Sequence, residues 1–123
     1  MFRWGNFTSN AGLELPFKID LDALTDVDWD CLAQMVAAEF TFSHVEGVPT
    51  GGLKFAEALK PYAMPGWRDG VLLIVDDVLT TGGSMERQRA GREALGVVAF
   101  SRVRAVPIWI TPIFRLGPFW RAR

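Results

Sequence analysis

Four apolar residues, Leu72-Leu73-Ile74-Val75, run without a polar break into Asp76-Asp77. An unbroken apolar run of that length predicts a strand covered on both faces, as in a parallel sheet. Val97-Val98-Ala99-Phe100 has the same pattern and ends in Ser101-Arg102. Residues 43–48 predict a shorter strand. Residues 105–114 are β-rich but interrupted by Pro107 and Pro112, which suits an edge strand or a flap. Helical spacing fills the intervals. Leu32, Met35, Val36 and Phe40 recur on one face of a helix that runs to about Phe40, and Thr25 with Asp28 forms a capping-box start. A second helix begins at Leu53 and stops before Pro61. A third, polar one follows Ser84, with Leu95 near its end and Gly96 as its stop signal. Residues 13–20 read as an extended edge segment, because Pro16 cannot serve a central strand. Strands alternating with helices predict an α/β fold with a parallel sheet.

Composition narrows the class without changing this outline. At 123 residues, half of them hydrophobic, the chain reads as one domain, 1–123, with enough apolar surface for a core. No apolar run approaches the roughly 20 residues of a membrane helix, and the N-terminus lacks a basic-then-apolar signal pattern, so the expected location is cytoplasmic. The single cysteine, Cys31, excludes an internal disulfide and reads as a structural thiol among Leu32, Met35 and Val36. Net charge is −1 but uneven: residues 1–84 carry 12 acidic and 5 basic side chains, residues 85–123 carry 2 and 8. The basic third lacks a Lys/Arg block or a recognisable nucleic-acid motif, so an anionic small molecule suits it better than nucleic acid.

The candidate chemistry lies where apolar strands end. Asp76 and Asp77 follow a strand, and ligands of open α/β sheets bind outside the carboxyl ends of their strands. Thr80-Thr81-Gly82-Gly83-Ser84 then supplies hydroxyls and two glycines before a helix start, a combination that cradles a phosphate. Acceptors for sugar hydroxyls therefore lie a few residues from a phosphate cradle, as a ribose 5-phosphate requires. Pro49-Thr50-Gly51-Gly52, between a strand and a helix, is a second anion-binding candidate. Gly47 and Gly52 have P-loop spacing, but Leu53 and Lys54 stand where a P-loop needs Lys and Ser/Thr, which weakens an NTPase reading. His44, the sole histidine, reads as a packing or capping residue. Trp109 and Phe114 are candidates to border a base pocket, and Arg102 should reach the same sheet edge as the acidic pair.

Residues 72–84 resemble the phosphoribosyl-pyrophosphate (PRPP) motif of type I phosphoribosyltransferases. Residues 47–52, Arg102 and Phe17-Lys18-Ile19-Asp20 are similar to the orotate branch of that family. The resemblance implies a Rossmann-like parallel sheet flanked by helices, with a reduced hood. It implies that Asp76 and Asp77 hold the ribose hydroxyls and act as the catalytic pair, touching Mg²⁺ only indirectly. Val78, Leu79, Thr80, Thr81, Gly82, Gly83 and Ser84 would hold the 5′-phosphate. Pro49, Thr50, Gly51 and Gly52 would hold pyrophosphate, and Arg102 and Lys18 would face the base. The implied activity is Mg²⁺-dependent transfer of ribose 5-phosphate from PRPP to a nucleobase, orotate first, by a homodimer. The lid of orotate enzymes is here reduced to residues 61–70, with Arg68 its only basic side chain. That shortening supports an alternative, a non-catalytic regulatory module that binds PRPP or a nucleotide.

Overall fold

The computed structural model describes residues 23–68 and 70–115. The extended segment expected at residues 13–20, with Lys18, lies outside them. Helix α1 spans Asp26–Glu39, strand β1 His44–Gly47, helix α2 Leu53–Leu59, strand β2 Leu72–Leu79, helix α3 Gly83–Arg89, strand β3 Leu95–Ser101 and strand β4 Ile110–Arg115. The strands form one four-stranded sheet in the order β1-β2-β3-β4, and every neighbouring pair is parallel.

The apolar runs occupy the middle of this sheet because both of its faces are covered. On one face Leu73, Val75, Val97 and Ala99 pack with Trp29, Leu32, Ala33 and Val36 of α1 and with Phe55, Ala56 and Leu59 of α2. On the other, Ile74 and Val98 meet Val48, Ile110 and Met85, the buried residue of α3. Each wholly buried Leu, Ile or Phe contributes about 1.5–3 kcal/mol relative to an exposed one. The reading of β4 as an edge strand holds among the described residues: Pro112 stands within it, opposite Val98.

Helix α1 starts as expected. Thr25 is its N-cap, its hydroxyl accepts from Asp28 N at 3.1 Å, and Asp28 Oδ2 accepts from Thr25 N at 2.9 Å. Leu32 and Val36 face the core, whereas Met35 is exposed, one step round the helix from the buried stripe. Cys31 is a half-buried free thiol.

The polar helix after Ser84 is shorter than its sequence suggests. α3 ends at Arg89, and Ala90 and Gly91 adopt left-handed φ values of 52° and 79° that turn the chain away. Leu95 and Gly96 accordingly belong to β3 rather than to the helix end. Gly96 has a packing reason for its identity. A Cβ built there would lie 2.8 Å from Trp109 Cζ3 and 2.9 Å from Cε3, so the indole rests on bare backbone. Gly96 N also donates to Trp109 O at 2.9 Å.

The connection from α2 to β2 lies at the amino edge of the sheet. Lys60–Tyr62 forms a 3-10 turn, Met64 N donates to Phe42 O at 2.8 Å, and Ser43 N donates to Val71 O at 2.8 Å. These bonds tie it to the start of β1, and His44 sits exposed beside Gly70 there.

The seat of Trp109 makes a direct prediction. Gly96→Val should lower stability by about 2–3 kcal/mol in urea denaturation, with Gly96→Ala smaller and of the same sign, since overpacking costs about 1–3 kcal/mol. Both should change Trp109 fluorescence.

Candidate active site at the carboxyl edge of the sheet

β2 carries the acidic pair out of the core. Asp76 is buried at 8% exposure and Asp77 is half-buried. Each carboxylate accepts a backbone N–H from the next residue: Asp77 N reaches Asp76 Oδ1 at 2.8 Å, and Val78 N reaches Asp77 Oδ1 at 2.7 Å. These bonds hold two like charges in fixed rotamers on adjacent residues. Burial, then the neighbouring Asp77 carboxylate, pushes Asp76 up from its ordinary 3.8 to about 7. Around neutral pH it is poised between acid and anion.

The turn after β1 is brought directly against this pair. Gly47 lies beside Val75, and Val48 N donates to Val75 O at 2.9 Å, extending the β1–β2 ladder by one residue. The chain then closes on itself, with Gly52 N donating to Val48 O at 2.7 Å, while Pro49, Thr50 and Gly51 stay exposed. Any side chain at Gly51 would overlap the Asp77 carboxylate. Only glycine permits that approach.

Beyond Leu79, whose side chain is buried, the chain opens into the hydroxyl-bearing loop. Thr80, Thr81 and Ser84 are exposed. Thr81 Oγ1 accepts from Gly83 N at 3.2 Å, and Gly82 takes a left-handed φ of 92° as the N-cap of α3. With only seven residues, α3 has little macrodipole to offer an anion. A full charge is supplied instead by Arg87, whose Nη2 donates to Ser84 Oγ at 3.3 Å and whose Nη1 lies 3.3 Å from a Cβ built on Gly83. Sequence reasoning missed this arginine, although the three-residue spacing from Ser84 to Arg87 on a helix places the two side by side.

Arg102 follows β3 at the same edge. Its N donates to Leu79 O at 3.0 Å, and its side chain is exposed. Lys18, the other base-side expectation, lies outside the described residues. Trp109 does not border this edge. It sits over Gly96 near the amino end of β3, its Nε1 donates to Glu86 Oε2 at 2.7 Å, and Arg89 Cζ stacks 4.3 Å from its ring centroid. Its position just before β4 puts it at the opposite end of that strand from the site. Phe114, at the far end of β4, packs on Phe100 with centroids 5.5 Å apart.

A second residue passed over in the sequence is Glu46, immediately before the turn. It accepts from Arg92 Nη1 and Nη2, each at 2.8 Å, and from Gln88 Nε2 at 2.9 Å. Arg92, first among these partners, holds the Glu46 carboxyl down at about 2.

This arrangement brings three predicted segments together, 49–52, 76–77 and 80–84, along one sheet edge, with Arg102 beside them. The parallel sheet with its flanking helices has the fold seen in a solved phosphoribosyltransferase. Among solved structures, the chain is similar to orotate phosphoribosyltransferase from Aeropyrum pernix, with a TM-score of 0.59 and 21% identity over 80% of this chain and 78% of that one. It is also similar to Leishmania donovani UMP synthase, with a TM-score of 0.61 and 19% identity over 87% of this chain and 32% of that much longer one. No protein-family profile matches the sequence, and no curated protein matches it. The likeness thus resides in the fold. Among the described residues, no helix is long and apolar enough to cross a membrane.

The burial of Asp76 has a consequence for stability. Its carboxyl binds a proton more tightly in the folded chain than in the unfolded one, so its contribution is most favourable near pH 4 and is lost as pH rises to 7 and above. Asp76→Asn should therefore raise stability at pH 8 by about 1–2 kcal/mol, since water still reaches the pair and relieves part of the repulsion. At pH 4 it should have little effect. Thermal denaturation at the two pH values measures the difference.

Proposed function

We propose that this chain is a phosphoribosyltransferase that moves ribose 5-phosphate from PRPP to a nucleobase, with orotate as the first candidate acceptor. The observation that carries this reading is the contact of the Gly51 backbone with the Asp77 carboxylate. It brings an anion-binding turn within one sugar's reach of two carboxylates, while the loop 80–84 lies a few residues beyond them. PRPP has that sequence of groups: pyrophosphate on C1, hydroxyls on C2 and C3, phosphate on C5. The similarity of fold to an orotate phosphoribosyltransferase and to a UMP synthase supports the same choice.

In the proposed reaction a base nitrogen forms a bond to C1 of the ribose as the bond from C1 to pyrophosphate breaks. The electron pair leaves with pyrophosphate, and the proton of that nitrogen passes to water. Positive charge develops on the ring and negative charge on the leaving group. Asp76 and Asp77 accept from the ribose hydroxyls and hold the ring in register, with their anionic charge close to the developing cation. Thr81, Ser84 and Arg87 hold the 5′-phosphate. The turn 49–52 receives the departing pyrophosphate, and Arg102 presents a planar fork to a carboxylate or a polar base edge.

Among the described residues no cluster of three His, Cys, Asp or Glu side chains is arranged to hold a metal. Two adjacent carboxylates beside a pyrophosphate turn instead fit Mg²⁺ carried in by substrate phosphates, which needs only one or two protein carboxylates. Bound in that way, the ion would neutralise the leaving group. A cytoplasmic homodimer completes the reading.

One observation favours a second reading, a module that binds PRPP without turnover. The described residues between α2 and β2 form a connection tied to the start of β1 at the amino edge, at the opposite end of the sheet from the site. A lid excludes water and completes the electrostatic shell.

Pyrophosphate release from PRPP with Mg²⁺, measured against a panel of bases including orotate, tests the proposal. Release with orotate and its loss in Asp77→Asn, a variant that keeps the acceptor for Val78 N, is the expected result. PRPP binding by calorimetry without release for any base would select the second reading, and absence of binding would overturn both. Gly51→Ala should weaken PRPP binding at least tenfold while leaving the fold intact, as its methyl displaces Asp77.

A further inference from the structure

Glu46 belongs to neither loop, yet it connects them. It stands on β1, three residues before Pro49, where the proposed pyrophosphate turn begins. Its carboxylate takes a two-pronged pair from Arg92 and a third bond from Gln88. Gln88 is in the last turn of α3, and Arg92 lies just beyond that helix. Arg92 is itself fixed to the helix end, donating to Gln88 O at 2.6 Å and to Arg89 O at 2.9 Å. The other end of α3 is the phosphate loop, with Gly82 as N-cap and Arg87 turned back onto Ser84. A two-turn helix between the phosphate loop and the Arg92 anchor behaves as a short rigid strut. Where Glu46 holds its far end, the loop at its near end is oriented too.

Apolar burial alone does not fix that orientation. Met85 is its only buried residue; Glu86 and Arg89 hold Trp109 on one flank of the helix, and the tie to Glu46 holds its far end to β1. A bidentate guanidinium–carboxylate pair adds a constraint between α3 and β1 through its planar geometry. The pair is partly solvated, with side-chain exposures of 44% for Arg92 and 35% for Glu46, so its role is geometric more than stabilising.

We infer that Glu46, through Arg92 and Gln88, is a positioning residue that sets the spacing between the 5′-phosphate loop and the pyrophosphate turn. This inference rests on the PRPP reading of the site. A ligand that spans both cradles gains affinity from their being held at the right separation before it binds. A fragment that occupies one cradle gains nothing from it. Glu46 therefore matters for PRPP and not for its halves.

Calorimetry on the full chain with PRPP, with ribose 5-phosphate and with pyrophosphate, each with Mg²⁺, tests this directly. Glu46→Gln, which keeps the size of the side chain and weakens the pair with Arg92, should lower PRPP affinity about tenfold, the scale of one lost charge-assisted bond. Its affinity for ribose 5-phosphate and for pyrophosphate should stay within about twofold of wild type. Arg92→Gln should behave in the same way, and the double variant should be no worse than either single one, since all three remove the same tie. Equal losses for PRPP and for the fragments would show a merely structural role and overturn the inference. Unchanged PRPP affinity in both single variants would overturn it as well. Absence of PRPP binding in the wild-type chain would instead remove the reading on which the inference rests.

Discussion

Two carboxylates on consecutive residues, one of them buried, stand in a strand that is otherwise apolar and that runs on past them through Val78 and Leu79. Like charges so placed repel each other and resist burial, and the structure spends much of its local design on tolerating them. Each accepts the next backbone N–H, so neither is free to rotate away. The opposite turn approaches through a glycine because any side chain there would strike Asp77. The sheet below, covered on both faces, keeps β2 internal between β1 and β3. Remove the pair and the glycines, the hydroxyl loop and the close turn lose their shared purpose.

Much of this was legible in the amino-acid order because the information is local. An apolar run between polar boundaries can be buried on both faces in few ways, and β2 and β3 follow that rule. The capping box at Thr25 formed because its two hydrogen bonds close over three residues and depend on nothing distant. The turns at 80–84 and 49–52 could be read for the same reason: glycine spacing determines where the backbone can turn sharply, whatever packs beneath.

What could not be read depends on distant partners. The helix after Ser84 was expected to continue toward Leu95, but Ala90 and Gly91 end it early and Arg92 reaches Glu46, 46 positions earlier in the chain. No local signal announces such a pairing. Met35 shares the helical spacing of Leu32 and Val36 and still faces solvent, because the width of the covered stripe is set by α2 and the sheet. Trp109, a candidate to border a base pocket, lies elsewhere. Its place is decided by Gly96, which provides a seat only once β3 and β4 are paired, and by Glu86 and Arg89, which hold the ring from the helix side.

The connection between α2 and β2 has another consequence. It is the single covalent link between the half of the described chain that carries the turn 49–52 and the half that carries Asp76, Asp77 and the loop 80–84. It runs along the amino edge, away from all of them, with exposed residues such as Met64 and Arg68. Nicks and insertions are borne best at exposed turns of this kind. The molecule can thus be regarded as two complementary fragments joined at a seam, each bearing one side of the candidate site. The β1–β2 ladder and the Glu46–Arg92 pair are the non-covalent clasps that would reunite them.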